Sequence, residues 1–407
     1  MNILIFNCGS SSLSFKIFAV KEHNNLEEIL KGKAHRVGVK GIESSFIEYS
    51  FKGKVQKEIL SIKNHRDAAN IVFKYLRDTN LEIDCIGHRF VHGGEYFKKS
   101  VFIDKDILRK LQLCLPLAPL HNSISLDVIY ECKKLFSKIP QYATFDSVFH
   151  SSIPDYAYTY ALPKKIIQKF GFRKYGFHGL SYSYITKKVS TFLKTPLKKL
   201  RIIACHLGTG GSSVSAIRDG RSIDTSMGYS PLSGLVMSTR SGDIDPMLMI
   251  YLMTTYDYRP EELMDILNKK SGLLGISGFS SDIRDIIKNL SGKEKEYAEL
   301  AFKMYVHRLK KYIGSYVVVL EGIDVLVFTD DIGVQNYQVR ERVCENMEWC
   351  GIMLDKKLNR QADTNKVSSL NSEQSKVLIF SIPTDEEFVI VSEGIKLLKD
   401  KKNDSNL

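Results

Sequence analysis

The chain lacks any run of about 18 apolar residues, the length a membrane-spanning helix needs. The longest candidate, residues 316–328, is interrupted by Glu321 and Asp324. The opening MNILIFN has neither the basic start nor the long apolar stretch of a secretory leader. Cysteines are few: seven, an odd number, scattered and without a CxxC pair. That predicts free thiols in a reducing cytoplasm, not a disulfide framework. Acidic residues are missing altogether between Asp155 and Asp219, a segment that holds twelve Lys or Arg. The other Lys and Arg number 46, equal to the 46 Asp and Glu, so the whole net charge of +12 sits in that segment. Such a field steers anionic ligands, or it is simply a lysine-rich solvated face. Apolar stretches interrupt it, so it forms no continuous basic arm, and nucleic acid is not an expected partner.

What is present is an ordinary globular mix: 43% hydrophobic and 26% charged over 407 residues. Disorder, collagen and a small stapled scaffold are excluded, and the length predicts two or three domains. The start reads as an apolar strand at 3–6, a small polar turn Asn7-Cys8-Gly9-Ser10-Ser11-Ser12, and a second strand at 13–20. The pattern recurs about 200 residues later: an apolar strand at 201–205, the turn from His206 to Ser213, and a strand at 214–217. A duplicated domain is the simplest account. Periodicity predicts helices over 64–77, 297–320 and 337–350, and strands at 84–88, 142–145, 324–328 and 377–382. The mixture predicts an α/β protein. Residues 360–375 read as a surface loop and 399–407 as a frayed polar end.

Small residues in a turn let backbone N–H groups close around a phosphate. Neither Gly/Ser-rich turn is a Walker loop, because GxxxxGK[ST] is absent. Two related turns, each between two strands, match the phosphate-gripping hairpins of the actin, hexokinase and heat-shock ATPase architecture. Further along, Arg, His and Asp recur inside glycine-bounded segments: GHRFVHGGE at 87–95, LAPLHN at 117–122, FDSVFH at 145–150, YGFHG at 175–179, DTSMG at 224–228 and TRSGDIDP at 239–246. Loops carrying such groups are where function concentrates.

With these segments the sequence resembles the acetokinase family over nearly its whole length, from NCGSSS to IPTDEEF. The resemblance implies two duplicated actin-like domains with an active-site cleft between them. It puts residues 1–150 and 384–400 in the N-terminal domain, 151–383 in a nucleotide-binding C-terminal domain, and 401–407 in a flexible tail. It implies Mg²⁺-dependent (or Mn²⁺-dependent) phosphoryl transfer from ATP to acetate, giving acetyl phosphate and ADP, in a cytoplasmic homodimer. By position, Arg89, Asp146, His178 and Arg240 match the catalytic set. Arg89, Val91, Leu120, Phe177 and Pro231 match the acetate site, the last four its apolar pocket. Asn7 and Glu386, with Glu387 adjacent, match the metal-linked positions. The nucleotide positions are Ser14, His206, Leu207, Gly208, Thr209, Gly210, Asp282, Ile283, Arg284, Asp331, Ile332 and Gly333. These residue types suit the chemistry: a carboxylate attacking a phosphate must overcome like-charge repulsion, and arginine forks bind both groups without losing charge.

The donor side departs from the family pattern. Ser14 stands where the family has Lys, with Lys16 two residues on, and Thr209 replaces an Asn. Asp330 and Asp331 replace two small residues in the adenosine-side loop. The rival readings are a kinase of propionate or another short carboxylate, the same chemistry with a different phosphoryl donor, and a non-catalytic carboxylate-binding relative.

Overall fold

The computed structural model describes residues 1–22, 25–39, 44–79 and 81–404. The chain forms two units. Unit 1 is Met1–Val148 with Asp385–Leu407, and unit 2 is Phe149–Thr384.

Unit 1 is built on eight strands: β1 (Asn2–Cys8), β2 (Ser12–Val20), β3 (Leu26–His35), β4 (Phe46–Phe51), β5 (Lys54–Ile59), β6 (Cys85–Phe90), β7 (Val101–Phe102) and β8 (Gln141–Phe145). Their order is β5-β4-β3-β2-β1-β6-β8-β7. The first five form an antiparallel meander, and β6 and β8 then add parallel to β1. Ile3, Leu4, Ile5 and Phe6 of β1 are all fully buried, as expected of a strand covered on both faces. In β2 the burial alternates: Leu13, Phe15 and Ile17 point into the core, while Ser12, Ser14 and Lys16 lie half-buried opposite. The helices His65–Thr79 and Pro119–Leu135 cover one face, packing Val72, Phe73 and Val128 against Leu4, Phe6 and Phe15. The helix Glu386–Asp404 lies near Tyr142 of β8, whose hydroxyl donates to the Ile390 carbonyl at 2.9 Å. Glycine is needed at 394 for that approach, since a Cβ there would sit 2.4 Å from the Tyr142 ring.

His88 of β6 is buried, and desolvation pushes its pKa down to about 4. Its Nε2 pairs with Gln141 Oε1 at 2.9 Å. Because the folded pKa is below that of an ordinary histidine, the unfolded chain binds the extra proton first as pH falls. Stability from this group is therefore full above about pH 6.5 and is lost between there and about 4, by roughly 3 kcal/mol in all. Urea titrations of wild type and His88→Gln at pH 7.5 and 5 check this: the variant should lose distinctly less stability on acidification, and equal losses would refute it.

Unit 2 carries β9 (Arg201–Gly208), β10 (Gly211–Arg218), β11 (Arg221–Thr225), β12 (Val325–Thr329), β13 (Ser368–Ser369) and β14 (Leu378–Ser381), in the order β11-β10-β9-β12-β14-β13. The duplication expected from the two turns is visible in the topology. Five strands of each sheet follow one order, third-second-first-fourth-fifth: β3-β2-β1-β6-β8 and β11-β10-β9-β12-β14. In both, the first three strands are antiparallel and the first, fourth and fifth are parallel. The long helix Lys295–Val319 buries Ala298, Ala301, Phe302, Tyr305, Leu309, Ile313 and Tyr316, the three-and-four spacing of one helix face. It shares a core with Ile203, Cys205, Leu326 and Phe328. The alternate residues Ile202, Ala204, Val325 and Val327 meet Tyr182, Ile185 and Val189 of the helix Gly179–Leu193.

Three local expectations are corrected. The helix expected over 337–350 ends at Cys344, because Glu345 turns extended and Asn346 takes a left-handed φ of 58° that asparagine tolerates; a separate 3₁₀ turn, Glu348–Cys350, follows. The loop at 360–375 contributes β13, which pairs antiparallel with β14. The polar end is helical through Asp404, where the Lys401 ammonium lies 5.3 Å from the centroid of the Phe102 ring; residues 405–407 lie outside the described residues. All seven cysteines are free, six of them buried. Among the described residues no helix is long and apolar enough to cross a membrane. Much of the positive excess is surface: Lys164, Lys165, Lys169, Lys187, Lys188, Lys194, Lys198 and Lys199 are exposed.

Candidate active site

In an open α/β sheet, the carboxyl ends of parallel strands are where ligands bind. In unit 1 those ends bring three of the predicted residues together. Asn7 lies next to the end of β1, Arg89 next to the end of β6, and Asp146 directly follows β8. Arg89 donates from Nε and Nη2 to the two oxygens of Asp146, at 2.9 and 2.6 Å. This is the bidentate fork that makes arginine–carboxylate pairs strong. Its Nη1 donates to Asn7 Oδ1 at 2.9 Å and lies 3.2 Å from Glu386 Oε2. Asn7 Nδ2 donates to both Glu386 and Glu387, at 3.0 and 2.9 Å. Burial alone would push the Arg89 guanidinium down, but Asp146 and Glu386 outweigh it and hold the pKa above the ordinary arginine range.

Lys16 shares the half-buried side of β2 with Ser14, but its ammonium is committed to carboxylates. It lies 2.9 Å from Asp385, 3.6 Å from Glu28 and 3.7 Å from Glu387. Ser14 sits opposite Asn7 in the β1–β2 register. Val91 is buried, whereas Leu120, in the first turn of its helix, is 59% exposed. The segments GHRFVHGGE and LAPLHN are stapled by Asn122. Its Oδ1 accepts from the His92 N–H, and its Nδ2 donates to the carbonyls of His92 and Cys114.

Unit 2 gathers a second group. His178 caps the helix Gly179–Leu193 with a left-handed φ of 60°, a strained conformation of the kind that collects at functional sites. Its Nδ1 is 2.8 Å from Ser213 Oγ, and its ring stacks on His206 of β9 with centroids 4.0 Å apart. His206 Nδ1 is 3.0 Å from Ser181 Oγ. Arg240 and His178 converge over Gly211 at the start of β10. A Cβ built on Gly211 would lie 3.1 Å from Arg240 Nη1 and 3.6 Å from His178 Nε2. Burial pushes the Arg240 pKa down, and among the described residues no carboxylate lies within ion-pair distance of it. Phe177 is buried and its carbonyl meets His150 Nε2 at 2.9 Å; Pro231 is half-buried.

The nucleotide-side positions divide. Gly208, Thr209 and Gly210 form the β9–β10 turn, with Thr209 and Gly210 exposed. Leu207, Ile283 and Ile332 place their side chains in the core, so only their backbone remains for a ligand. Gly333 and Val334 are held through their carbonyls by Arg340, which is buried and donates to them at 2.8 and 2.6 Å. Asp282 caps the helix Ile283–Lys288 and pairs with the exposed Arg284. Ser213, Ser181 and Arg340 are absent from the sequence-based set. The serines sit in or beside Gly/Ser and His-Gly segments, where they read as turn residues, and nothing in the sequence marks Arg340.

Two sheets of one topology, with arginine, histidine and carboxylate groups gathered near the carboxyl ends of their parallel strands or on adjoining loops, define a kinase of the actin-like phosphotransferase class. Comparison with known proteins narrows the class. The Acetokinase family model matches residues 2–392. The acetate kinase of Thermoanaerobacter pseudethanolicus is 43% identical over 411 residues, covering 99% of this chain and 100% of the relative. The crystal structure of the Entamoeba histolytica acetate kinase matches with 43% identity and a TM-score of 0.87, over 98% of this chain and 100% of that one. A propionate kinase structure from Francisella tularensis matches at 36% identity and a TM-score of 0.87, over 96% and 98%. The chain belongs to the acetokinase family.

Proposed function

We propose that the chain is a cytoplasmic acetate kinase that transfers the γ-phosphoryl group of ATP to acetate. An acetate oxygen forms the new bond to phosphorus as the bridging bond to ADP breaks. The observation that carries this reading is Arg240: a desolvated cation with no carboxylate partner among the described residues, aimed with His178 at one point. A guanidinium in that state suits an anionic ligand, and a phosphoryl group matches its fork. Arg89 offsets the second anion, acetate, and Val91 and Leu120 supply apolar surface for its methyl in unit 1, as Phe177 and Pro231 do in unit 2. Both Asp146 oxygens already accept from Arg89. Acetate is already ionised at pH 7, so Asp146 orients Arg89 and no strong base is required. His178, held by Ser213, steadies the transferring group. Catalysis is then mostly positioning and electrostatics.

Among the described residues no three His, Cys, Asp or Glu side chains gather into a metal cage. That fits Mg²⁺, which keeps waters and substrate phosphates and takes one or two carboxylates from the protein. Glu386, beside Asn7, is the residue for it, with Mn²⁺ a substitute. An ion held there would supply positive charge to offset that of the donor phosphates. The test is an assay of acyl phosphate formation from acetate or propionate, with ATP and Mg²⁺. Acetyl phosphate is the expected product, and absence of any acyl phosphate would reject the reading.

A homodimer belongs to the same proposal. The helix Pro246–Thr255 is PMLMIYLMTT, and none of its residues is buried. Met247, Leu248, Ile250 and Tyr251 are each about half exposed, and the exposed Tyr256 packs edge-on against Tyr251. A helix apolar on all sides requires cover, and contiguous exposed apolar surface marks interaction sites. A second copy supplies that cover. Light scattering should give twice the 46.3 kDa chain mass, and Ile250→Asp with Tyr251→Asp should give monomers. A monomeric wild type would end the idea.

A further inference from the structure

The turn between β9 and β10 is already occupied by this chain's own carboxylates. The Thr209 N–H donates to Asp331 Oδ1 at 2.9 Å, and the Thr209 hydroxyl donates to Oδ2 at 2.8 Å. One residue earlier, Asp330 Oδ2 lies 3.1 Å from His206 Nε2. That oxygen also closes on the turn, since a Cβ built on Gly208 would sit 2.1 Å from it. Asp330 holds this position with a left-handed φ of 65°, a conformation that aspartate, like asparagine, adopts more readily than most residues with a Cβ. Two consecutive carboxylates thus reach back from the end of β12 onto one hairpin. They engage a backbone amide, a hydroxyl and an imidazole, the groups a phosphate would use there. A carboxylate presents the same charge sign and the same paired acceptors as two phosphate oxygens.

We propose that Asp330 and Asp331 form an internal anion lock on the β9–β10 turn, which the phosphate chain of the donor must displace to bind. The inference rests on the reading of this hairpin as the donor-phosphate grip. A donor binds only the unlocked fraction, so its apparent affinity falls by that fraction. A lock open between one time in ten and one in a hundred weakens the donor about ten- to a hundred-fold. The penalty falls on the phosphate chain, because the occupied groups are phosphate acceptors' partners and none of them recognises a base or a ribose. Arg284 feels the Asp331 charge, which gives the displaced carboxylate a cation to turn towards.

The test is calorimetric binding of ATP, inorganic tripolyphosphate and adenosine, each alone, to the full chain. Wild type is compared with Asp331→Gly, with Asp330→Gly combined with Asp331→Gly, and with Asp331→Asn. The double variant should bind ATP and tripolyphosphate about ten-fold tighter or more, with a distinctly smaller change for adenosine and the KM for acetate unchanged. Asp331→Asn keeps an acceptor for Thr209 but drops the charge, so it should show a smaller gain of the same sign, and it answers the question if the glycine variants fold poorly. Unchanged or weaker binding of ATP and tripolyphosphate would overturn the lock. So would equal tightening of adenosine, which would mark a steric effect on the nucleoside. If ATP binds as expected but no variant phosphorylates acetate, the assignment of function fails while the lock stands.

Discussion

Arg240→Ala is expected to reduce acetyl phosphate formation by about 10²–10³-fold, the loss typical of removing one preorganised group that stabilises developing charge. Its folding stability should stay at the wild-type level. No carboxylate among the described residues pairs with Arg240, so its removal leaves no orphaned partner. Its own burial disfavours the charge it carries. Arg240→Lys should recover little, because an ammonium lacks the planar fork. Steady-state kinetics with a urea titration of the same preparations check both halves. A kcat close to wild type in the alanine variant would remove Arg240 from the reaction.

Arg89→Ala should behave differently, although the two arginines carry the same role by resemblance. Arg89 is the counter-ion of Asp146, which is 1% exposed, and it also faces Glu386. Removing it leaves a buried carboxylate without compensation, a loss of about 3–5 kcal/mol. The variant should therefore lose both turnover and a large part of its resistance to urea. Adding Asp146→Asn should restore part of the stability, because the orphaned charge is gone, and none of the activity. An unchanged urea midpoint in Arg89→Ala would show that the Asp146 fork contributes nothing to folding.

This divergence shows what the sequence can and cannot convey. Local periodicity is enough for β1, a continuous apolar run, and for β2, which alternates. Two turns of similar composition are enough to reveal the duplication. The environment of an arginine is not local: Arg89 takes its charge partners from residues 146 and 386, whereas among the described residues no carboxylate pairs with Arg240. Ser213 was unmarked for a related reason, since a serine in a Gly/Ser turn is expected whether or not a histidine sits above it. Asp330 and Asp331 were visible as substitutions, but only coordinates show that they fold onto Thr209 and His206. The helix break at Cys344 depends on one left-handed asparagine, which apolar spacing does not report.

The membership of Asp385–Leu407 in unit 1 has a consequence for the order of biosynthesis. Residues 1–148 leave the ribosome well before the helix carrying Glu386 and Glu387, the Asn7 partners. Between them lie the residues of unit 2, 149–384, which at typical synthesis speeds take roughly 10–50 s to appear. For that interval the nascent first unit holds Arg89 and Asp146 without Glu386, and its sheet lacks the helix seated near Tyr142. A product stopped between residues 332 and 384 therefore carries both arginines and the β9–β10 hairpin with its two aspartates, but lacks the Glu386 side of the Arg89 centre.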